Sequence, residues 1–177
     1  MLELIKTGLY EEFYTDFKNV IVAFLEPQTY GRSPLENSSF IASSANPDDT
    51  VHGTGFVARL SGASAEFLSM WKIMLSGQKP FKFIDNELVL SFEPALPGWL
   101  FNEEGRLSFN FLGKVRVTYI NPKKIDTYKI DISKQSILIT LDDETKVRID
   151  GNIIEERYAK LLREGRAKNI EITFLYE

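Results

Sequence analysis

His52–Gly77 reads HGTGFVARLSGASAEFLSMWKIMLSG, and the rest of the chain is organised around it. Its first half is rich in small residues: Gly53, Gly55, Ser61, Gly62 and Ala63. Its second half, Ser64–Ser76, carries Ala65, Phe67, Leu68, Met70, Trp71, Ile73, Met74 and Leu75, apolar almost all the way round a helix. A helix that is apolar on every side is expected to be buried on every side. Gly77 stands where a left-handed C-terminal cap belongs. The stretch therefore predicts a loop feeding a core helix, with Ser61 and Gly62 at the helix N-terminus. Free backbone N–H groups and the positive end of the helix dipole meet at such an end, which suits an anion. The alternative is that Ser61 only caps the helix and the glycines only turn the chain.

Outside this stretch the totals narrow the classes. A length of 177 residues allows one domain, or a domain and a piece of another. The apolar fraction of 44% is ordinary for a globular protein. No window approaches the run of about 20 apolar residues that a membrane helix needs. The charges scattered through Met1–Glu12 are unlike a signal peptide, so no membrane partner is expected. A net charge of −4 without a basic stripe argues against nucleic acid as a partner. With no cysteine there are no disulfides, no thiol catalysis and no cysteine metal site, which fits a cytoplasmic protein. The one histidine, His52, cannot build a multi-histidine metal centre or a two-histidine relay. Thirteen Phe suit a large core, a sugar-stacking surface, or both.

Composition changes near Gly77–Pro80, which divides the chain into a helical and loop-rich segment, 1–79, and a strand-rich segment, 80–177. In the first, Phe13, Phe17, Val20, Ile21 and Phe24 predict a helix over Leu9–Leu25 that Thr7 could cap and Pro27 would stop, although Val20–Val22 could equally begin an extended segment. Gln28–Thr54 reads as one long loop, rich in Ser, Asn, Pro and Asp, ordered enough to line something. In the second segment apolar residues alternate at Leu88/Leu90/Phe92, Leu107/Phe109/Phe111, Val115/Val117/Tyr119, Tyr128/Ile130/Ile132, Ile137/Ile139/Leu141 and Ile170/Ile172/Phe174. Asp142-Asp143-Glu144 and Asp150-Gly151 read as turns, the latter as a hairpin, and Glu155–Arg163 as a short helix. Seven or eight such strands suggest an antiparallel β-sandwich.

The run Leu60-Ser61-Gly62-Ala63-Ser64, followed by the apolar helix and then by FIDNELVLSFEPALPGWL, resembles the C-terminal end of the cellobiose and chitobiose phosphorylases, the inverting glycoside phosphorylases. The resemblance implies an α+β fold: the end of a six-hairpin α/α toroid barrel followed by a C-terminal antiparallel β-sandwich. In that family a Thr-Gly pair at the start of a barrel helix contacts the inorganic phosphate that attacks the sugar. Ser61 and Gly62 stand in that place here, with Ser64 beside them, so these three are the implied phosphate-binding residues. Arg59 replaces the family's tryptophan and Ala42 its phosphate-holding glutamine, the mark of a divergent branch. Glu36-Asn37-Ser38 through Ala42 resembles a family segment reading roughly Glu-Pro-Tyr and then Gln, and Leu96-Pro97-Gly98-Trp99 and Gly151-Asn152-Ile153-Ile154 resemble later family segments. The family's general acid, an aspartate, and its phosphate-contacting histidine lie upstream of anything that matches this chain, and His52 is not that histidine.

Phosphorolysis with inversion needs one acid to protonate the leaving glycosidic oxygen, while phosphate itself is the nucleophile. The protein must otherwise fix the phosphate with hydroxyls, N–H groups and cations. Ser61, Ser64 and the Gly62 N–H suit that task; Arg32 and Arg59 could add charge, and Glu36 and Asn37 could bind sugar hydroxyls. Each has a bland alternative: a surface ion pair for the arginines, a stabilised turn for Glu36. Trp71 reads as core rather than a sugar platform, Trp99 could pack between the two segments, and the Asp48-Asp49 and Asp142-Asp143 pairs read as turn residues. The expected function is that of a C-terminal fragment or subunit of a glycoside phosphorylase acting on β-linked gluco-oligosaccharides, without the acid and inactive alone. Its partners would be oligosaccharide, phosphate as co-substrate, an upstream catalytic chain and a second copy of itself, with no metal and no organic cofactor. The alternative is a non-catalytic β-domain that binds carbohydrate or a partner protein on an aromatic face.

Overall fold

Alternation of apolar residues settles most of the secondary structure of the computed structural model, which describes residues 1–21, 26–31, 38–58 and 62–176, with only the backbone described at 38–40, 57–58 and 62–64. The chain divides into two compact units, Met1–Trp71 and Lys72–Glu177. The architecture mixes helices with a mostly antiparallel sheet, an α+β arrangement. No helix among the described residues is long and apolar enough to cross a membrane.

The first unit begins with α1 (Leu2–Lys6), which buries Ile5. The sequence suggested Thr7 as a cap for the following helix, but Thr7 does not cap it. Its hydroxyl donates back to the carbonyls of Glu3 and Leu4 at 2.8 and 3.1 Å, closing α1 instead. Then α2 (Tyr10–Val20) starts after Leu9 with no side-chain cap and ends at Ile21, whose backbone is extended. Phe13 and Phe17, one turn apart, are buried with Tyr14, and the three rings lie 4.9–5.9 Å apart. The expected continuation to Leu25 falls on residues 22–25, outside the described residues. Pro27 opens a helix rather than stopping one: it is the first residue of α3 (Pro27–Tyr30), where its missing N–H has no intrahelical partner to lose.

The expected loop from Gln28 to Thr54 is not structureless. Besides α3 it contains β1 (Ser38–Ile41), which pairs antiparallel with β2 (Gly55–Ala58). The connection between these strands is tied to itself. Gly53 and Ala42 extend the ladder through a 2.8 Å bond, and Asp48 accepts from the N–H and hydroxyl of Thr50 at the start of a 3-10 turn, Asp49–Val51. A long stretch without obvious periodicity was a strand pair with a folded connection, the outcome that loops of this length usually signal.

The chain then enters α4 (Gly62–Ser76), fifteen residues closed by Gly77. Gly77 adopts φ +83° and its N–H donates to the Ile73 carbonyl at 2.9 Å, the left-handed cap the sequence predicted. The helix is not buried on every side. Met70, Ile73 and Met74 form the buried stripe, whereas Leu68, on the opposite side at 100° per residue, is 68% exposed. Apolar composition tells what a helix can bury, not how many neighbours pack against it.

In the second unit, β3 (Phe81–Ile84) and β4 (Glu87–Leu90) form a hairpin whose two turn residues, Asp85 and Asn86, both take positive φ, 49° and 68°. That is the primed turn whose twist matches a hairpin, and Asp and Asn tolerate it. The main sheet has five strands in the order β5-β6-β9-β7-β8. These are β5 (Arg106–Phe111), β6 (Val115–Ile120), β7 (Gln135–Leu141), β8 (Lys146–Asp150) and β9 (Ala167–Phe174). Helix α5 (Glu156–Arg163) leads into β9, which lies parallel to β6 and antiparallel to β7. Val115, Val117, Tyr119, Ile137, Ile139, Ile170, Ile172 and Phe174 are buried, at the two-residue period that predicted their strands.

Two sequence expectations fail in this unit. Tyr128/Ile130/Ile132 do not form a strand: Thr127–Lys129 is a 3-10 turn, because the Thr127 N–H and hydroxyl are bonded to the Leu96 and Pro94 carbonyls. Asp150-Gly151 is not a hairpin turn: the Gly151 N–H donates to the Gln135 carbonyl, the chain passes to Ile154, which pairs with Leu90, and α5 follows. The true β7–β8 turn is at Asp142–Thr145, where Asp143 accepts from the Thr145 N–H at 3.0 Å.

Candidate functional site

The expected phosphate site sits where β2 gives way to α4. β2 ends at Ala58 and α4 begins at Gly62, a strand, a short connection and a helix. Gly62 heads the helix and Ser64 lies in its first turn, so both sit among the N–H groups that lack an intrahelical acceptor. Such a helix start presents partial positive charge to whatever lies before it. Of the remaining expected site residues, Arg59 and Ser61 lie in the connection, and Arg32, Glu36 and Asn37 lie ahead of β1. All five fall outside the described residues. The described backbone thus brings Gly62 and Ser64 together on one helical turn.

Polar groups in each unit tie its loops and turns together. His52 shares a 2.8 Å hydrogen bond between its Nε2 and the Asn46 carbonyl, which ties down the β1–β2 connection. The Thr50 hydroxyl, and then the Thr50 N–H, hold the Asp48 carboxyl below the usual range. Asp131 and Asp143 are lowered in the same way by Ser133 and Thr145, and Glu156 by Lys160 and the Leu88 N–H. At Asp126 burial pushes upward, but the Gly98 N–H, Lys129 and Tyr128 outweigh it and hold the group down. A general acid needs a raised carboxyl, and all five of these are lowered.

The two tryptophans differ. Trp71, half-buried, meets Phe17 and Phe67 edge-on at 5.8 and 6.0 Å, as a core residue would. Trp99 is 42% exposed, on a 3-10 turn, Gly98–Leu100, that follows Pro97. The turn is fixed from below: the Gly98 N–H donates to Asp126 Oδ1 at 2.8 Å and the Leu96 N–H to Thr127 Oγ1 at 2.7 Å.

The second unit also holds a feature the sequence did not reveal. Phe81, Lys82, Phe83, Leu88, Leu112 and Arg163 line an open groove of about 660 Å³. The apolar alternation in FKFIDNELVL was a signal for the hairpin, but the floor and rim come from β3, β4, the β5–β6 turn and the end of α5. No spacing within one stretch could join these. Among the described residues no group of three or more His, Asp or Glu is placed to hold a metal ion. No family model matches the chain, and no curated protein matches it.

Proposed function

We propose that the chain is the C-terminal part of a glycoside phosphorylase and supplies part of its phosphate and sugar pocket. The observation that carries this reading is the sequence run Leu60-Ser61-Gly62-Ala63-Ser64, of which Gly62 is the first residue of α4. In this reading Ser61, Ser64 and the Gly62 N–H hold inorganic phosphate, Arg32 and Arg59 add charge, and Glu36 and Asn37 meet sugar hydroxyls. Phosphate oxygen attacks the anomeric carbon from the face opposite the glycosidic bond. The bond breaks, an aspartic acid from a separate part of the enzyme protonates the departing oxygen, and a sugar 1-phosphate of inverted configuration leaves. Segment 1–79 then corresponds to the end of an α/α toroid barrel and 80–177 to the sandwich-like C-terminal domain. The absence of cysteine supports a cytoplasmic setting, and exposed Leu9 and Val20 on the first unit support contact with a second copy.

The test uses Ser61→Ala. The chain alone should release no sugar 1-phosphate from a β-linked gluco-oligosaccharide. Combined with a phosphorylase fragment that carries the acid, it should release product, and Ser61→Ala should weaken phosphate use about ten- to a hundredfold, the worth of one charge-assisted hydrogen bond. A lower melting temperature with unchanged phosphate dependence would reduce Ser61 to a helix cap and remove it from the site. A second reading, a non-catalytic β-domain that binds carbohydrate, rests on the exposed Trp99. It predicts that oligosaccharide quenches tryptophan fluorescence in a way that Trp99→Ala abolishes and Ser61→Ala does not.

A further inference from the structure

The outer edge of β3 is an unprotected strand edge beside the groove, and the two features fit one occupant. The two-residue turn at Asp85-Asn86 sets which backbone groups face outward. Ile84 pairs with Glu87 and Lys82 with Val89 through the ladder, so the N–H and C=O of Phe81 and Phe83 point away from β4. The partner strand confirms the alternation: Leu88 and Leu90, opposite Phe83 and Phe81, turn their N–H groups outward to Glu156 Oε1 and the Ile154 carbonyl. Among the described residues β3 pairs with β4 alone, no strand lies on its outer side, and nothing bonds those outward groups of Phe81 and Phe83.

Exposed strand edges are normally blunted by charge. The other free edges of this unit follow that rule. β8 exposes Lys146, Arg148 and Asp150, and β5 exposes Arg106, Ser108 and Asn110. β3 carries one charge, Lys82, already paired with Glu93, and otherwise exposes Phe83 at 70% and Ile84 at 39%, beside Leu112 at 51%. Of the groove's cations, Lys82 is paired with Glu93 at 2.7 Å, which leaves the guanidinium of Arg163 uncommitted. Arg163 lines it, and the stem of Lys114, the next turn residue but one after Leu112, lies against Gly165. Among the described residues neither Arg163 nor Lys114 has an ion pair, although the chain as a whole carries net negative charge.

We propose that the β3 edge and its groove bind an extended segment of a partner protein as an added strand. That segment carries apolar residues at alternate positions and a carboxylate on the same face for Arg163. Backbone hydrogen bonds from Phe81 and Phe83 set its register, Phe83, Leu88 and Leu112 take its apolar side chains, and the guanidinium selects the acid. This site does not depend on the phosphorylase reading: none of its residues belongs to the expected phosphate loop.

The experiment titrates the full chain with a short fluorescein-labelled peptide bearing alternate valines followed by glutamate, and with its twin bearing lysine in place of glutamate. Binding is read by anisotropy and by the amide NMR signals of Phe81 and Phe83. Wild type should bind the glutamate peptide at least about tenfold more tightly than its twin, with both amide signals moving. Arg163→Glu should reverse that preference. Phe83→Lys, at an exposed position, should abolish binding while the melting temperature stays unchanged. The proposal fails if wild type binds neither peptide, if Arg163→Glu leaves the preference unaltered, or if binding survives Phe83→Lys. It also fails if Phe83→Lys dissolves a dimer with which the peptide does not compete, because the edge then pairs with a second copy.

Discussion

Gly98 shows how much one missing methyl group decides. A Cβ built there would stand 1.8 Å from the carbonyl oxygen of Lys124, and that oxygen belongs to backbone that cannot swing aside. The reason is space rather than a left-handed backbone, since Gly98 is absent from the residues of positive φ. Three hydrogen bonds hold the two segments at that distance: the Gly98 N–H to Asp126, the Leu96 N–H to the Thr127 hydroxyl, and that hydroxyl to the Pro94 carbonyl. Gly98→Ala should therefore cost about 1–3 kcal/mol or more, the range for forced overpacking, read as a lower urea midpoint at unchanged slope. An unchanged midpoint would mean the Lys124 turn can move aside. In the sequence Gly98 looked like one member of a Leu-Pro-Gly-Trp run. The contact that makes it glycine comes from far along the chain, and no local pattern announces it.

Elements built on local periodicity could be read directly. β5, β6, β7 and β9 each place apolar side chains two apart, and the pattern of α5 stays within one helix. Elements decided by a distant partner were misread: Tyr128–Ile132 alternates like a strand, yet Thr127 is drawn into a turn by Pro94 and Leu96. The same division applies to the candidate sites. The helix start at Gly62 is a local signal, while the groove needs Arg163 beside Phe83 and only folding supplies that. For α4 the sequence marked every apolar position alike, and burial separates them. Met74→Ala, at a fully buried position, should cost about 2–5 kcal/mol. Leu68→Ala, with the side chain 68% exposed, should stay within about 0.5 kcal/mol. Equal losses at the two positions in thermal melts would show that something covers Leu68 in solution.

Taken whole, the protein should be most stable in a plateau around neutral pH, with a cause for each limb. Asp48, Asp126, Asp131, Asp143 and Glu156 have folded values below their ordinary 3.8 or 4.5, so their contribution is present above those values and lost as pH falls through the lower folded ones. Burial pushes Tyr119 well above its ordinary 10.0. Its contribution is complete below 10.0 and is lost as pH rises through the folded value. Tyr176 and Lys168, also raised, add to that alkaline limb. Tyr119→Phe removes the hydroxyl that donates to the Leu75 carbonyl at 2.6 Å. It should cost about 1 kcal/mol at neutral pH and make the alkaline fall shallower. Urea midpoints measured across the pH range for both proteins check this, and parallel alkaline limbs would refute it. The strand order carries one more consequence, for biosynthesis. β9 is the last of the five strands to leave the ribosome, yet it occupies the middle of the sheet, between one hairpin already made and another. Until it arrives, β6 and β7 wait with inner edges open, so the sheet cannot close during translation of its first four strands. The parallel β6–β9 pairing joins segments far apart in the chain, so its formation is expected to be the slow step of folding, checked as the slowest phase in stopped-flow refolding.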